Sequence, residues 1–232
     1  MMNKLDKKRV LVIIPAYNEG EIIEEVISNV ISNGYSVAVV DDGSKDDTFG
    51  RIAKKSNFAL KHIVNLGQGA ALQTGFEFGL KKTACDFFVS FDADGQHRVE
   101  DIESMVEPIL NDQADVVLGS RFLGFDPENI PRSRRLFLKI ATLLTRVVSR
   151  IEVTDTHNGF RAFSRQALSQ IELVHNDMSH ASEILSIIHD KKLRFVEVPV
   201  KIIYSDYSLA KGQPLLNGIN ILWDMFFDEV KK

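Results

Sequence analysis

Val10-Leu-Val-Ile-Ile14-Pro-Ala-Tyr17-Asn-Glu19 is the stretch on which the fold turns. Five consecutive apolar residues, mostly β-branched, read as a strand buried on both faces, and the run stops at Pro15. Outward from it, Ile22, Ile23, Val26, Ile27 and Val30 recur at helical spacing, and Val37–Val40 reads as a second strand. Leu60–Val64 and Phe87–Phe91 repeat the pattern, with a stripe of Ala71, Leu72, Gly75, Phe76 and Gly79 between them that is small and closely packable. Strands alternating with helices at this spacing mean right-handed βαβ units, hence an α/β protein whose mostly parallel sheet is flanked by helices. Val116–Leu118 and Phe195–Ile202 are further strand candidates. With no repeat, low-complexity tract or linker, residues 1–232 read as one domain.

The chain sets 28 Lys and Arg against 32 Asp and Glu, a formal net charge of −4, which argues against nucleic acid as a partner because phosphate binding needs a basic footprint. Cys85 is the single cysteine, so no disulfide forms within the chain, as befits a reducing compartment. No stretch approaches the roughly 20 apolar residues of a membrane-spanning helix. The expectation is a cytoplasmic protein that does not cross a bilayer by itself.

Polar clusters follow the strands: Asn18-Glu19, Asp41-Asp42, Asn65 to Gly69, and Asp92 to His97. In an open parallel sheet the carboxyl ends share one edge, where ligands bind. In Asp92-Ala-Asp94-Gly-Gln96 the oxygen-bearing side chains alternate. Hard cations such as Mg²⁺ or Mn²⁺ take oxygen ligands, often one or two carboxylates completed by substrate phosphates. The plain alternative is a solvated turn, since Asp and Gly are turn residues. Asp41-Asp42-Gly43-Ser44 has the same alternative, with Ser44 or Asp46 capping the next helix. Two acidic strand ends facing one crevice repel, however, unless a cation or sugar hydroxyls lie between them. Asn65-Leu-Gly67-Gln-Gly69 opens a helix, exposing N–H groups suited to an anion or a close-packed substrate, or simply making a tight turn.

Together these segments resemble the family 2 glycosyltransferases, in particular the dolichol-phosphate-mannose synthase-like polyprenyl-phosphate glycosyltransferases. The matching residues are Pro15-Ala-Tyr17-Asn-Glu19, Val40-Asp-Asp42-Gly-Ser44-Lys-Asp-Asp-Thr48, Asn65-Leu-Gly67-Gln-Gly69, Asp92-Ala-Asp94-Gly-Gln96-His97, Gly119-Ser-Arg121 and Asp155-Thr-His157-Asn-Gly159-Phe160-Arg161. The resemblance implies a single GT-A domain, Rossmann-like, using a nucleotide sugar and Mg²⁺ or Mn²⁺. It assigns the donor to Pro15, Ala16, Tyr17, Glu19, Asp41, Asp42, Gln68, Gly69, Asp92, Ala93 and Lys211. Asp92, Asp94 and Gln96 would hold the metal. Arg121 would face a donor or acceptor phosphate, and Glu183 stands near where relatives place an acid that touches the sugar. Gln68 departs from the family, which often has Lys there.

Residues 131–151 carry Arg132, Arg134, Arg135, Lys139, Arg146 and Arg150, with no acid between Glu128 and Glu152. Leu136, Phe137, Ile140, Leu143, Leu144, Val147, Val148 and Ile151 recur there at helical spacing. Such a basic amphipathic helix in an acidic protein reads as a peripheral membrane element at the inner face, against the commoner case of a core helix with solvated arginines. Arg132, Arg134 and Arg135 are candidates for an acceptor phosphate, since guanidinium forks match its oxygens. A second amphipathic stretch, residues 212–230, suits core packing, a second copy of the chain or, by the resemblance, a small membrane-protein subunit.

A polyprenyl phosphate is already anionic near neutral pH and needs no general base, so inversion in one displacement follows. If the acceptor were instead a saccharide hydroxyl, as in polysaccharide or cell-wall synthesis, Glu183 or Asp155 would be the base. His157 and His180 read as structural or cleft-lining. A nucleotidylyltransferase would need a Gly-rich basic loop after the first strand, and a non-catalytic sugar-nucleotide module would not need Asp92, Asp94 and Gln96. Uracil or guanine, and mannose, glucose or N-acetylglucosamine, stay open, with a slight lean to a UDP-sugar.

Overall fold

The computed structural model describes residues 4–124, 151–156, 158–177 and 179–203. A seven-stranded sheet runs in the order β3-β2-β1-β4-β6-β5-β7. Its strands are β1 (Val10–Ala16), β2 (Ser36–Asp41), β3 (Phe58–Lys61), β4 (Phe87–Ser90), β5 (Val116–Ser120), β6 (Arg161–Ser164) and β7 (Phe195–Pro199). β6 runs antiparallel to both its neighbours, and every other pairing is parallel. The helices are α1 (Ile23–Ser32), α2 (Thr48–Lys55), α3 (Gln68–Lys82), α4 (Ile102–Leu110), the short α5 (Arg165–Leu168) and α6 (His180–Asp190).

β1 is buried along its whole length. Its Val10, Val12 and Ile14 join the core under α1 and α4, while Leu11 and Ile13 join the core under α3 and α6. That alternation sandwiches the sheet between helical layers, because successive strand residues point to opposite faces. α3 lies against the sheet: a Cβ on Gly75 would stand 2.3 Å from Ile13 Cγ2, and one on Gly79 would stand 2.8 Å from the Phe88 ring. The small-residue stripe therefore sets the depth at which α3, and with it the Gly67-Gln68-Gly69 entry, approaches the sheet edge.

β1 extends past Pro15, where the sequence predicts its end. The Ala16 carbonyl accepts from Asp42 N–H on the β2 side, while the Ile13 carbonyl accepts from Phe91 N–H on the β4 side. Pro15 shares the β4-facing orientation of Ile13 but lies beyond the last residue paired to β4, so its missing donor interrupts no ladder. β3 ends at Lys61 instead of running over 60–64. It is an edge strand with alternate burial, and Ile63 and Val64, which made the run look long, are exposed in the following loop. The sequence offered no strand at Arg161–Ser164. Four residues opening on an arginine show no period, and the strand exists because it fills the gap between β4 and β5. β7 stops at Pro199, and Ile202 makes only an isolated bridge to His97. The 131–151 and 212–230 amphipathic segments lie outside the described residues, save Ile151, which is buried in the core.

Candidate active site

The polar segments at the carboxyl edge are stitched together in series. Asn18 N–H donates to Ser44 Oγ (2.8 Å), Glu19 N–H to Thr48 Oγ1 (2.9 Å) and Gly20 N–H to Asp46 Oδ2 (3.1 Å), tying the β1 loop to the β2 loop. The N-cap of α2 is Asp47, whose side chain makes no capping bond, and not Ser44 or Asp46; Asp46 accepts from Thr48 N–H at the first helical residue. Asp42 then ties the β2 loop to the α3 entry. Its Oδ1 accepts from Leu66 N–H (2.9 Å), its Oδ2 from Gly67 N–H (2.7 Å), and His62 sits between Oδ1 (2.7 Å) and Thr74 Oγ1 (2.9 Å). Gly43 and Gly67 adopt positive φ of 71° and 107°, the left-handed region that suits glycine. Asp41 is fully buried with Oδ2 unpartnered among the described residues and Lys61 Nζ 4.0 Å away.

The last link is Gln68, whose Nε2 donates to Asp92 Oδ1 at 3.1 Å. Asp92 Oδ2 lies 2.8 Å from His97 Nε2. The His97 ring is wedged between Phe91 and Phe160, with centroids 5.3 and 5.0 Å away, and its side chain is 3% exposed. Gly159 leaves room for this arrangement, since a Cβ there would stand 2.6 Å from both carboxylate oxygens of Asp92. Burial alone would raise the Asp92 carboxyl. His97, with help from His180 and Arg161, outweighs it and holds that carboxyl below the usual range. Asp94 differs. Burial and then the Asp92 charge push it up to about 6, opposed chiefly by one hydrogen bond from Gln96 N–H at 3.0 Å, and Glu19 adds to the rise.

Three side chains have other commitments than their sequence assignments suggest. The Arg121 guanidinium forks onto Asp155 (Nε–Oδ2 2.6 Å, Nη2–Oδ1 2.7 Å), with the Asp155 side chain 1% exposed. Glu197 of β7 accepts from the N–H groups of Thr154 and Asp155 and so fixes that turn. Glu183 accepts from Val174 N–H (2.8 Å) and His175 N–H (3.0 Å). Three amides of the Gly-rich α3 entry are committed to the chain itself: Gly67 N–H to Asp42, and Gly69 N–H to the Asn176 carbonyl at 2.8 Å, with Ala70 N–H behind it at 3.4 Å. The entry is close-packed against the chain itself. Tyr17 is 38% exposed at the rim, while Pro15, Ala16 and Ala93 form the buried edge. Arg132, Arg134, Arg135, His157 and Lys211 lie outside the described residues.

Sequence reading gave no role to Arg161 or His97. Arg161 is buried and donates to the carbonyls of Asn158, Thr156 and Ala181; burial lowers its guanidinium to about 10 against the pull of Asp155 and Asp92. It places a buried cation within the electrostatic reach of both Asp155 and Asp92. His180, at the start of α6, donates from Nδ1 to the Asp177 carbonyl, and burial pushes its imidazole down. His180, read from sequence as structural or cleft-lining, is buried, while His97 and Arg161 were visible only as members of polar runs. Their burial comes from β6 and α6, which bring distant segments beside Asp92.

A mostly parallel sheet with one inserted antiparallel strand and acids on its carboxyl edge is the GT-A architecture. The structure superposes on Mycobacterium tuberculosis glucosyl-3-phosphoglycerate synthase, solved with Mn²⁺ and UDP-glucose, with a TM-score of 0.69, 21% identity, and coverage of 94% of this chain and 76% of that one. The model of glycosyl transferase family 2 matches residues 11–172, and the chain belongs to that family. Among full-length relatives, the UDP-N-acetylglucosamine–dolichyl-phosphate N-acetylglucosaminyltransferase of Methanococcus voltae is 34% identical, covering 97% of this chain and 98% of its own. The dolichol-phosphate mannosyltransferase of Pyrococcus furiosus is 32% identical over 92% of this chain and 60% of its own.

Proposed function

We propose that this protein transfers a monosaccharide, with inversion, from a nucleoside diphosphate sugar to a polyprenyl phosphate at the membrane surface, using a divalent cation held by Asp92, Asp94 and Gln96. The observation that carries the reading is the Asp92–Asp94 pair. Two carboxylates share the end of one strand, and the second is pushed up to about 6 by burial and by the charge of the first. A hard cation relieves that repulsion, and oxygen donors are what Mg²⁺ and Mn²⁺ take. Among the described residues no group of three or more His, Cys, Asp or Glu is placed to hold a metal alone, which suits a site completed by the donor's diphosphate. When bound, the ion supplies Lewis-acid neutralisation of the departing nucleoside diphosphate.

The residues around it position and neutralise. Gln68 and His97 hold the two oxygens of Asp92, and Arg161 supplies a buried positive charge near it. Tyr17, exposed at the rim after β1, is the group most open to the base, with the buried Asp41 carboxylate at the end of β2 beneath it. The acceptor class follows from what the acids are doing. Asp155 is locked to Arg121 and Glu183 to two backbone N–H groups, so neither stands ready as a general base, whereas a phosphate monoester attacks without one. The relatives named for dolichyl-phosphate acceptors support the same choice. Among the described residues no helix is long and apolar enough to cross a membrane, and the basic 131–151 segment would bring the protein to the lipid.

Incubating the protein with polyprenyl phosphate in vesicles, Mn²⁺ and a panel of radiolabelled UDP- and GDP-sugars tests this. Label from one donor should enter the organic phase in a phosphate-dependent, chelator-sensitive way. Transfer to a free saccharide hydroxyl with none to lipid would contradict it.

A further inference from the structure

The glycine-rich start of α3 is held by a strap of chain, 173–176, more than 100 residues further on in sequence. Leu173 N–H donates to Gln73 Oε1 at 3.0 Å, and the Asn176 carbonyl accepts from Gly69 N–H. The bond from Gly69 satisfies a helix-start amide that has no partner within the helix, and the one to Gln73 ties the strap to the first turns of α3. The fit is tight: a Cβ on Gly67 would stand 2.1 Å from the Asn176 carbonyl oxygen, and one on Gly69 would stand 2.1 Å from that of His175. On its other side the strap is gripped by Glu183, one turn into α6, with one oxygen on Val174 N–H and the other on His175 N–H. Gln68, between the two glycines, donates to Asp92.

The geometry points to Glu183 as a positioning residue: through the 173–176 strap it fixes the start of α3 and so holds Gln68 against the metal-site Asp92. This deepens the proposed function and rests on its placing Asp92 in the donor site. Two parallel N–H···carboxylate bonds make a short, directional clamp. A carboxylate serving as a general base would need those same oxygens for a substrate proton. The two roles therefore rank substitutions oppositely. Glutamine keeps the reach and one accepting oxygen, so it can hold one of the two strap amides, and it cannot act as a base; aspartate keeps the carboxylate but falls one methylene short of the strap.

The test compares Glu183→Gln, Glu183→Asp and Glu183→Ala in the full chain by amide hydrogen exchange without metal or donor, and by steady-state transfer. Glu183→Ala and Glu183→Asp should speed exchange at Gly69, Val174 and His175 by about tenfold or more, the loss of roughly one hydrogen bond's worth of protection, with β1 unchanged. They should also raise KM for the nucleotide sugar by about tenfold with kcat within a few fold, and Glu183→Gln, which keeps one of the two bonds, should recover part of both. Unchanged exchange in Glu183→Ala would overturn the proposal. So would a Glu183→Gln variant that loses kcat as fully as Ala while Asp retains it. If Glu183→Ala fails to fold, the Gln-against-Asp ranking still decides. Because the exchange arm needs no turnover, a chain that transfers no sugar would count against the proposed function and leave the strap tested on its own.

Discussion

Asp42 and Asp94 stand on the same edge of the sheet, at the ends of strands that flank β1, and they are used in opposite ways. Asp42 is surrounded by donors, two backbone N–H groups and His62, and so acts as the staple that fixes the loop leading to α3. Asp94 has one backbone N–H from Gln96 and a second carboxylate beside it, and its carboxyl is pushed up to about 6. In sequence both are an acid after a buried strand. The number of donors the fold aims at each carboxylate separates an acid that staples loops from one whose charge is left uncompensated by hydrogen bonds.

The comparison breaks most visibly in turnover. Asp94→Ala should cut transfer by about a thousandfold or more, roughly 4 kcal/mol in the barrier, while the metal-free protein stays folded with a thermal midpoint no lower than that of wild type; wild-type turnover would remove the difference between the two acids. Asp42→Ala should do the reverse to stability. Stripping the acceptor from three donors costs about 2–4 kcal/mol in a denaturant titration, and a stability within about 0.5 kcal/mol of wild type would show that the staple is idle.

A pH titration sharpens the contrast. Asp94 has a folded-state pKa above its unfolded one, so the protonated form favours the fold. That contribution is complete below about 3.8 and is lost as pH rises through about 6, an amount of roughly 2–3 kcal/mol. Asp94→Asn should therefore be more stable than wild type without metal at pH 7.5, with the gap closing toward pH 4. A gap that does not vary with pH would contradict this account of Asp94. The smallest effect belongs to the support of Asp92. His97→Gln should weaken Mn²⁺ binding in the presence of nucleoside diphosphate by about 10- to 100-fold, read by electron paramagnetic resonance, and an unchanged affinity would show that the buried imidazole does not orient the carboxylate.

The centre of the sheet was legible because β1, β2 and β4 are continuous apolar runs and α1 and α3 carry clear stripes. The stripe of Gly75 and Gly79 even foretold the close approach of α3. At the edges the local signal fails. Ile63 and Val64 look like strand residues yet lie exposed in a loop, and β6 is four residues long with its reason for existing in its neighbours. The site divides the same way. The convergence of the four strand-end segments follows from the parallel topology, so the residues were findable. What each does was not, because it depends on partners far away in the chain: the Asn176 carbonyl at Gly69, Asp155 at Arg121, and the Val174 and His175 amides at Glu183. The glycines at 67 and 69, readable as an anion cradle, are small because a strap of backbone lies against them.

The most direct test of the central claim is anomalous diffraction from crystals grown with Mn²⁺ and the nucleoside diphosphate. The account predicts a manganese peak about 2.1 Å from oxygens of the Asp92-Asp94-Gln96 segment and of the diphosphate together. A peak on the diphosphate alone, with Asp94 turned away from it, would contradict the account.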